Sequence, residues 1–272
     1  MKNILIFNDI SGLGNCSMTA NIAIFNKLGH YCMPVVTATY SCQTGFKKFT
    51  CQKNVSLPLC VADITANRMP DAVYVGFAAG TDLLKEIAEE VSKLPADTLK
   101  FVDPIMGDNG ALYSVFDSAY VANMKKIVAG AYCITPNLTE ACLLADVDYE
   151  ELISHANEPT FLAHVGKTFA NMCKDLQVSN AVITGVQCGS LIGNVVLQQG
   201  SATQYVTNQR VPVEYSGTGD AFSSVLLGEL LCGATLTTAT QIAANFVGKA
   251  AQLTECADRR FGVEFSRALN LL

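Results

Sequence analysis

Asn3-Ile4-Leu5-Ile6-Phe7-Asn8 opens the chain as an apolar run, and Gly12-Leu13-Gly14 breaks it. Ser17 to Leu28 follows with helical spacing, closed by Gly29, and Pro34 to Tyr40, rich in Val and Thr, reads as a second strand. No polar residue alternates within Ile4 to Phe7, so both faces of that first strand are predicted to be covered. A strand, a helix and a further strand in this order make a unit whose strands run parallel. The same rhythm continues outward. Helices are predicted over Leu57 to Arg68, Thr81 to Ser92, Asp117 to Val128 and from Leu138 to Ala145, and strands over Ala72 to Phe77, Leu99 to Val102 and Ala131 to Ile134. Phe161 to Leu176 reads as one helix and Ala181 to Thr184 as a strand, and Leu191 to Leu197 pairs with Ala202 to Val206 as a hairpin across Gly200. Two long helices, Asp220 to Cys232 and Thr237 to Thr254, and a last one near the C-terminus complete the reading. The expected fold is α/β: one central, mostly parallel β-sheet with helices on both faces. No repeat or Pro/Gly/Ser-rich linker divides residues 1–272, so a single domain is expected.

Composition narrows the function. Of 272 residues, 50% are hydrophobic and 15% charged, which excludes a disordered chain. The net charge is −6, and no basic run exceeds Lys47-Lys48 or Arg259-Arg260, so no nucleic-acid partner is expected. Between Ile10 and Ala62 there is no acid, but there are Lys27, Lys47, Lys48 and Lys53; chance explains this better than an anion-attracting face. Met1-Lys2 leads into an apolar run that stops at Asn8-Asp9, unlike a signal peptide, and no uncharged apolar stretch reaches the roughly 18 residues of a membrane span. The 11 cysteines form no C-x-x-C and are odd in number, and His30, His155 and His164 do not pair with them at zinc spacing. Free thiols acting as small hydrophobes and a reducing, cytoplasmic setting are expected.

In an open parallel sheet, ligands bind beyond the carboxyl ends of the strands. That singles out Asn8 to Gly12, Ser41-Cys42-Gln43-Thr44-Gly45, Gly76, Asp103 to Asp108, Thr135-Pro136-Asn137 and Thr184-Gly185. Gly12-Leu13-Gly14-Asn15-Cys16-Ser17 invites a dinucleotide-binding reading. Ser17 replaces the third glycine, however, and no acid follows before Asp63 to hold a ribose, so a plain strand-to-helix turn is preferred. Ser216-Gly217-Thr218-Gly219-Asp220-Ala221-Phe222 is the strongest motif. Its glycines and the following helix N-terminus suit an anion hole for a phosphoryl group, and Asp220 a base for an attacking hydroxyl. An ordinary helix start with a favourable Asp reads equally well. Asn137-Leu138-Thr139-Glu140 has the spacing of a capping box, the stronger reading on its own; a magnesium–nucleotide site is the alternative. Asp103-Pro104-Ile105-Met106-Gly107-Asp108 reads first as a turn with solvated acids and second as counter-charge for metal and phosphate.

Taken together, Asp103 to Asp108, Thr135 to Glu140 and Gly217 to Asp220 resemble, in order and spacing, the ribokinase-like superfamily. Asn8 to Ser17 and Thr39 to Phe46 bring the chain close to its vitamin B6 branch, the pyridoxal/pyridoxamine kinases, over about residues 3 to 255. The resemblance implies transfer of the γ-phosphate of ATP to the 5′-hydroxymethyl of pyridoxal, pyridoxamine or pyridoxine, with Mg²⁺, a monovalent cation (K⁺ or Na⁺) and a homodimeric assembly. It makes Asp220 the base and Gly217, Thr218 and Gly219 the anion hole. It assigns Asp103, Asn137, Glu140, Thr184, Gly185, Thr218 and Gly219 to ATP, and Glu140, Asp103 and Thr135 to metal. Asp9, Ser41, Gln43, Thr44 and Asp220 face the acceptor. Many members carry His where this chain has Gln43; Gln there also resembles the related hydroxymethylpyrimidine kinases, the alternative activity. A silent B6- or nucleotide-binding protein is a further alternative.

Overall fold

The computed structural model describes residues 1–53 and 56–272. Among the described residues, eleven strands run β1 (Asn3–Ser11), β2 (Tyr31–Tyr40), β3 (Cys51–Lys53), β4 (Ala72–Val75), β5 (Leu99–Val102), β6 (Gly107–Asp108), β7 (Ala111–Leu112), β8 (Cys133–Ile134), β9 (Asn180–Cys188), β10 (Leu191–Gln198) and β11 (Gln204–Gln209). The helices are α1 (Ser17–Lys27), α2 (Leu57–Asn67), α3 (Thr81–Ser92), α4 (Ser118–Val128), α5 (Leu138–Ala145), α6 (Tyr149–Ile153), α7 (Phe161–Thr168), α8 (Met172–Asp175), α9 (Thr218–Leu231) and α10 (Leu236–Leu253).

Nine strands form one sheet in the order β11-β10-β9-β8-β5-β4-β1-β2-β3. The six from β2 to β9 pair in parallel, while β3 and the β10–β11 hairpin add antiparallel edges. Successive side chains of β1 enter opposite cores. Leu5 and Phe7 pack with α2 to α8, and Ile4 and Ile6 with α1, α9 and α10; all four are fully buried. This is why the strand reads as an unbroken apolar run, and each such burial stabilises the fold by roughly 1.5–3 kcal/mol. α9 is apolar on nearly every side because it lies between α1, α10 and the sheet. The strand order reverses around β1, whose neighbours are β2 on one side and β4 on the other, and a crevice opens at such a switch point.

The structure departs from the sequence reading in a few places. Residues 161–176 form two helices, because the chain tightens to i→i−3 bonds at Ala170 and Met172. Apolar Phe169, Met172 and Cys173 keep helical spacing across the break, which hides it in the sequence. The expected C-terminal helix is a pair of 3₁₀ turns, Arg259–Phe261 and Phe265–Leu271. The turn after Asp103 is partly a two-stranded ribbon, β6–β7, folded by Asn109 and Gly110, both with positive φ. Asn-Gly is the residue pair such a hairpin favours. β3 and α6 had no clear signal.

Candidate active site

Asp220 lies in the first turn of α9 and is only 8% exposed. Gly217 precedes that helix in the left-handed conformation (φ 79°) and packs so closely that a Cβ there would come 2.0 Å from the Asn15 carbonyl oxygen. Only glycine allows the loop to rest on the start of α1. A Cβ at Gly219 would meet nothing within 4 Å, so the outer side of the turn is open. Two helix N-termini thus converge where Asp220 sits, and the Ser17 backbone N–H at the start of α1 favours its ionised form. Burial, then the charge of Asp103, push the Asp220 carboxyl up to about 7, and Asp9 adds to this.

Asp103 leaves the end of β5 and is buried among three hydroxyls. Thr135 Oγ1 donates to Oδ1 at 3.2 Å, and Tyr74 OH (3.2 Å) and Ser223 Oγ (3.0 Å) donate to Oδ2. Ser223 belongs to α9, so this carboxylate ties the sheet edge to the helix that carries Asp220. Burial outweighs those bonds and raises Asp103 to about 6.

Asn137 and Glu140 do form the capping box of α5. Glu140 does more than cap. Its Oε2 accepts from Asn137 N (2.8 Å) and its Oε1 from Met106 N (3.0 Å), while Asn137 Nδ2 donates to Gly107 O (2.8 Å). The box thereby fastens the Asp103–Asp108 segment to α5. Burial first, and the Asp103 charge second, hold the Glu140 carboxyl well above its usual range. Thr184 N donates to Pro136 O at 2.9 Å, and Thr184 bridges Asn137 in parallel, so Thr184 and exposed Gly185 border the same edge.

Asp9, at the end of β1, is 5% exposed and accepts from Ser11 Oγ at 3.3 Å; burial raises its carboxyl. Ser41, Gln43 and Thr44 lie just after β2, beside the Gly12–Asn15 turn. Ser41 Oγ accepts from Thr50 N at 2.9 Å, and Thr44 is exposed. Gln43 is engaged at both ends of its amide: Nε2 donates to Arg260 O (3.0 Å) and Oε1 accepts from Gly45 N (2.8 Å). The guanidinium of Arg260 lies 5.1 Å from the Phe46 ring centre, and Phe46 meets Phe261 edge-on at 5.4 Å. The loop after β2 is therefore clasped to the C-terminal turn, which itself holds the glycine turn through Val263 N to Ser216 O (3.0 Å).

The sequence reading assigned no role to Asn21, Ser223, Ser224 or Tyr74, and none of its own to Asn8. All five are buried near the carboxylates. Their signal was polar residues inside apolar helices and strands.

Among the described residues, no group of three His, Cys, Asp or Glu side chains converges to hold a metal, and no helix is long and apolar enough to cross a membrane. The buried carboxylates Asp103, Glu140 and Asp220 have only neutral hydrogen-bond partners in the contacts above. An uncompensated acidic edge of this kind suits a cation that arrives with phosphate ligands of its own.

A doubly wound sheet with a buried aspartate at a glycine-led helix start, near further buried carboxylates, defines a ribokinase-like small-molecule kinase. The phosphomethylpyrimidine kinase family model matches residues 13–262, and the chain belongs to that family. It is 24% identical over 258 residues to the hydroxymethylpyrimidine/phosphomethylpyrimidine kinase of Bacillus subtilis, covering 93% of this chain and 90% of that one. It is 28% identical over 215 residues to the pyridoxal kinase of Arabidopsis thaliana, which covers 74% of this chain and 65% of the relative's length. A phosphomethylpyrimidine kinase candidate from Bacteroides thetaiotaomicron, crystallised with pyridoxal, superposes with a TM-score of 0.85 at 29% identity, covering 99% of this chain and 95% of that one.

Proposed function

We propose that the chain transfers the γ-phosphoryl group of ATP to the 5′-hydroxymethyl oxygen of a B6 vitamer: pyridoxal, pyridoxamine or pyridoxine. The observation that carries this reading is Asp220, buried at the α9 N-terminus beside the open side of Gly219 and raised to about 7, where a general base works best at neutral pH. Asp220 takes the hydroxyl proton, the freed oxygen bonds to the γ-phosphorus, and the bond to ADP breaks. Gly217, Thr218 and Gly219, at the positive end of α9, stabilise the charge that develops on the transferred group. Phosphoryl transfer asks the protein mainly for alignment and charge compensation, which matches a site of backbone groups and carboxylates.

Mg²⁺ bound with ATP supplies charge neutralisation at the phosphates. Glu140 and Asp103 would hold it, with Asn137, Thr184 and Gly185 along the nucleotide. Thr135 and Asp103 would face a monovalent cation. Asp9, Ser41 and Thr44 border the acceptor, and Gln43 acts there through the loop it clasps. A homodimer and a cytoplasmic location belong to the same proposal.

A second reading, hydroxymethylpyrimidine as acceptor, is favoured by Gln43 and by the Bacillus subtilis relative, which covers 93% of the chain. The test is ADP release from Mg–ATP with pyridoxal, pyridoxamine, pyridoxine and hydroxymethylpyrimidine, with Asp220→Asn as control. Turnover of a B6 vitamer that the control lacks supports the proposal. Turnover of hydroxymethylpyrimidine alone transfers the same chemistry to the second reading. No turnover by folded protein makes it a binding protein.

A further inference from the structure

We infer that Asn8 is a positioning residue for Asp220, orienting the carboxylate from the end of β1 through a chain of buried amides and a serine; this rests on the kinase reading above. The chain of bonds has one consistent direction. Ser224 Oγ donates to the Asp220 backbone carbonyl at 2.6 Å. It therefore accepts from its other neighbour, Asn21 Nδ2, at 2.8 Å. That turns Asn21 Oδ1 towards Asn8 and obliges Asn8 to present its Nδ2, which it does at 2.8 Å. The second N–H on the same nitrogen reaches Asp220 Oδ1 at 3.5 Å.

The other end of Asn8 is equally occupied. Its Oδ1 accepts from Asp9 N and from Phe77 N, each at 3.0 Å. All four hydrogen-bonding positions of the amide are used, so it can neither flip nor drift. A Cβ at Gly76 would lie 2.7 Å from Asn8 Nδ2, so the floor beneath the amide has to be bare backbone. Asn8, Asn21 and Ser224 are all fully buried. A carboxylate turns easily about its last torsion, which is broad and roughly two-fold. The Asn8 donor reaches one of its two oxygens, Oδ1, and so selects one orientation. Asp9 is held by the same amide through its backbone, so one residue sets the relation between the base and the acidic residue beside it.

The test is steady-state kinetics of Asn8→Asp in wild-type and Asp220→Asn backgrounds, with the acceptor that wild type turns over. Asp keeps the acceptor for Asp9 N and Phe77 N but loses both N–H groups; because its charge would also push Asp220 up, kcat is taken on the high-pH plateau of each variant's profile. The expected result is a fall in kcat approaching about 10²-fold, as for a base misplaced by about an ångström, with both KM values changed by less than about threefold. In the Asp220→Asn background the same substitution should change the residual kcat by less than about twofold, because the group it positions is already gone. If Asn8→Asp does not fold, Asn21→Ala, which frees the Asn8 amide but leaves its backbone partners, is compared in the same two backgrounds with the same expectation. Unchanged kcat, an equal loss in both backgrounds, or a loss confined to acceptor KM overturns the assignment. Absence of turnover by the wild-type protein overturns the kinase reading and this assignment with it.

Discussion

At the scale of single residues, Asp220 combines two demands that oppose each other. In the proposed reaction it must be buried to exclude water, and it must ionise to take a proton. With its carboxyl raised to about 7, kcat/KM is expected to fall as pH drops below about 7, because the proposed base becomes protonated in the free protein. The same shift sets a stability trend. Between the unfolded value near 3.8 and the folded value near 7, the native state holds a proton that the unfolded chain has lost. Stability therefore falls as pH rises through that window. Asp220→Asn should lower kcat by about 10²- to 10⁴-fold and yet melt several degrees above wild type at pH 8, the gap closing towards pH 4. Thermal melts across that range check this, and equal melting points at pH 8 would show that the buried charge carries no cost. The glycine neighbours made the place of Asp220 at a helix start legible in the sequence, but not the shift, since Asp103 and Asp9 lie over a hundred positions away in the chain.

At the scale of elements, the loop after β2 and the start of α9 behave differently. Gly217 is strained for any other residue, whereas Gly219 faces open space. Gly217→Ala is expected to cost about 1–3 kcal/mol or more in stability, because a left-handed backbone and a clash with Asn15 add together. Gly219→Ala should fold normally and lose most of its turnover, because the methyl occupies the open side. Denaturant unfolding and ADP release separate the two. Gln43 carries a different expectation. Its amide clasps Gly45 and Arg260, so Gln43→Ala should speed proteolysis of the 41–50 loop and raise acceptor KM more than it lowers kcat. A variant with wild-type proteolysis and KM would show that the clasp is dispensable. Element types were mostly readable from apolar spacing. The break between α7 and α8 was not, because its buried residues keep helical spacing while the backbone tightens beneath them.

For the molecule as a whole, the eleven cysteines are free thiols, distributed between core and surface. Dithiothreitol is therefore expected to leave the melting temperature unchanged, and a fall of several degrees would reveal a disulfide. The two cores, one on each side of the sheet, supply the stability instead. Their pattern is local: an apolar run too short for a helix, bounded by turn residues, needs cover on both faces whatever its neighbours are. That is why the chain alone was enough for the α/β class and the parallel strands. It was also enough for the glycine turn before Asp220, since a conformation open only to glycine leaves a mark in sequence. Folding in space supplied the rest. The strand order placed β1 between β2 and β4, which brought Asn8 to Asp220 across 212 positions. The hydroxyls around Asp103, the backbone grip on Glu140 and the clasp on Gln43 all join residues far apart in the chain. Hydrogen bonds and charge shifts depend on distances of a few ångströms, and those distances exist only once the sheet has set its order.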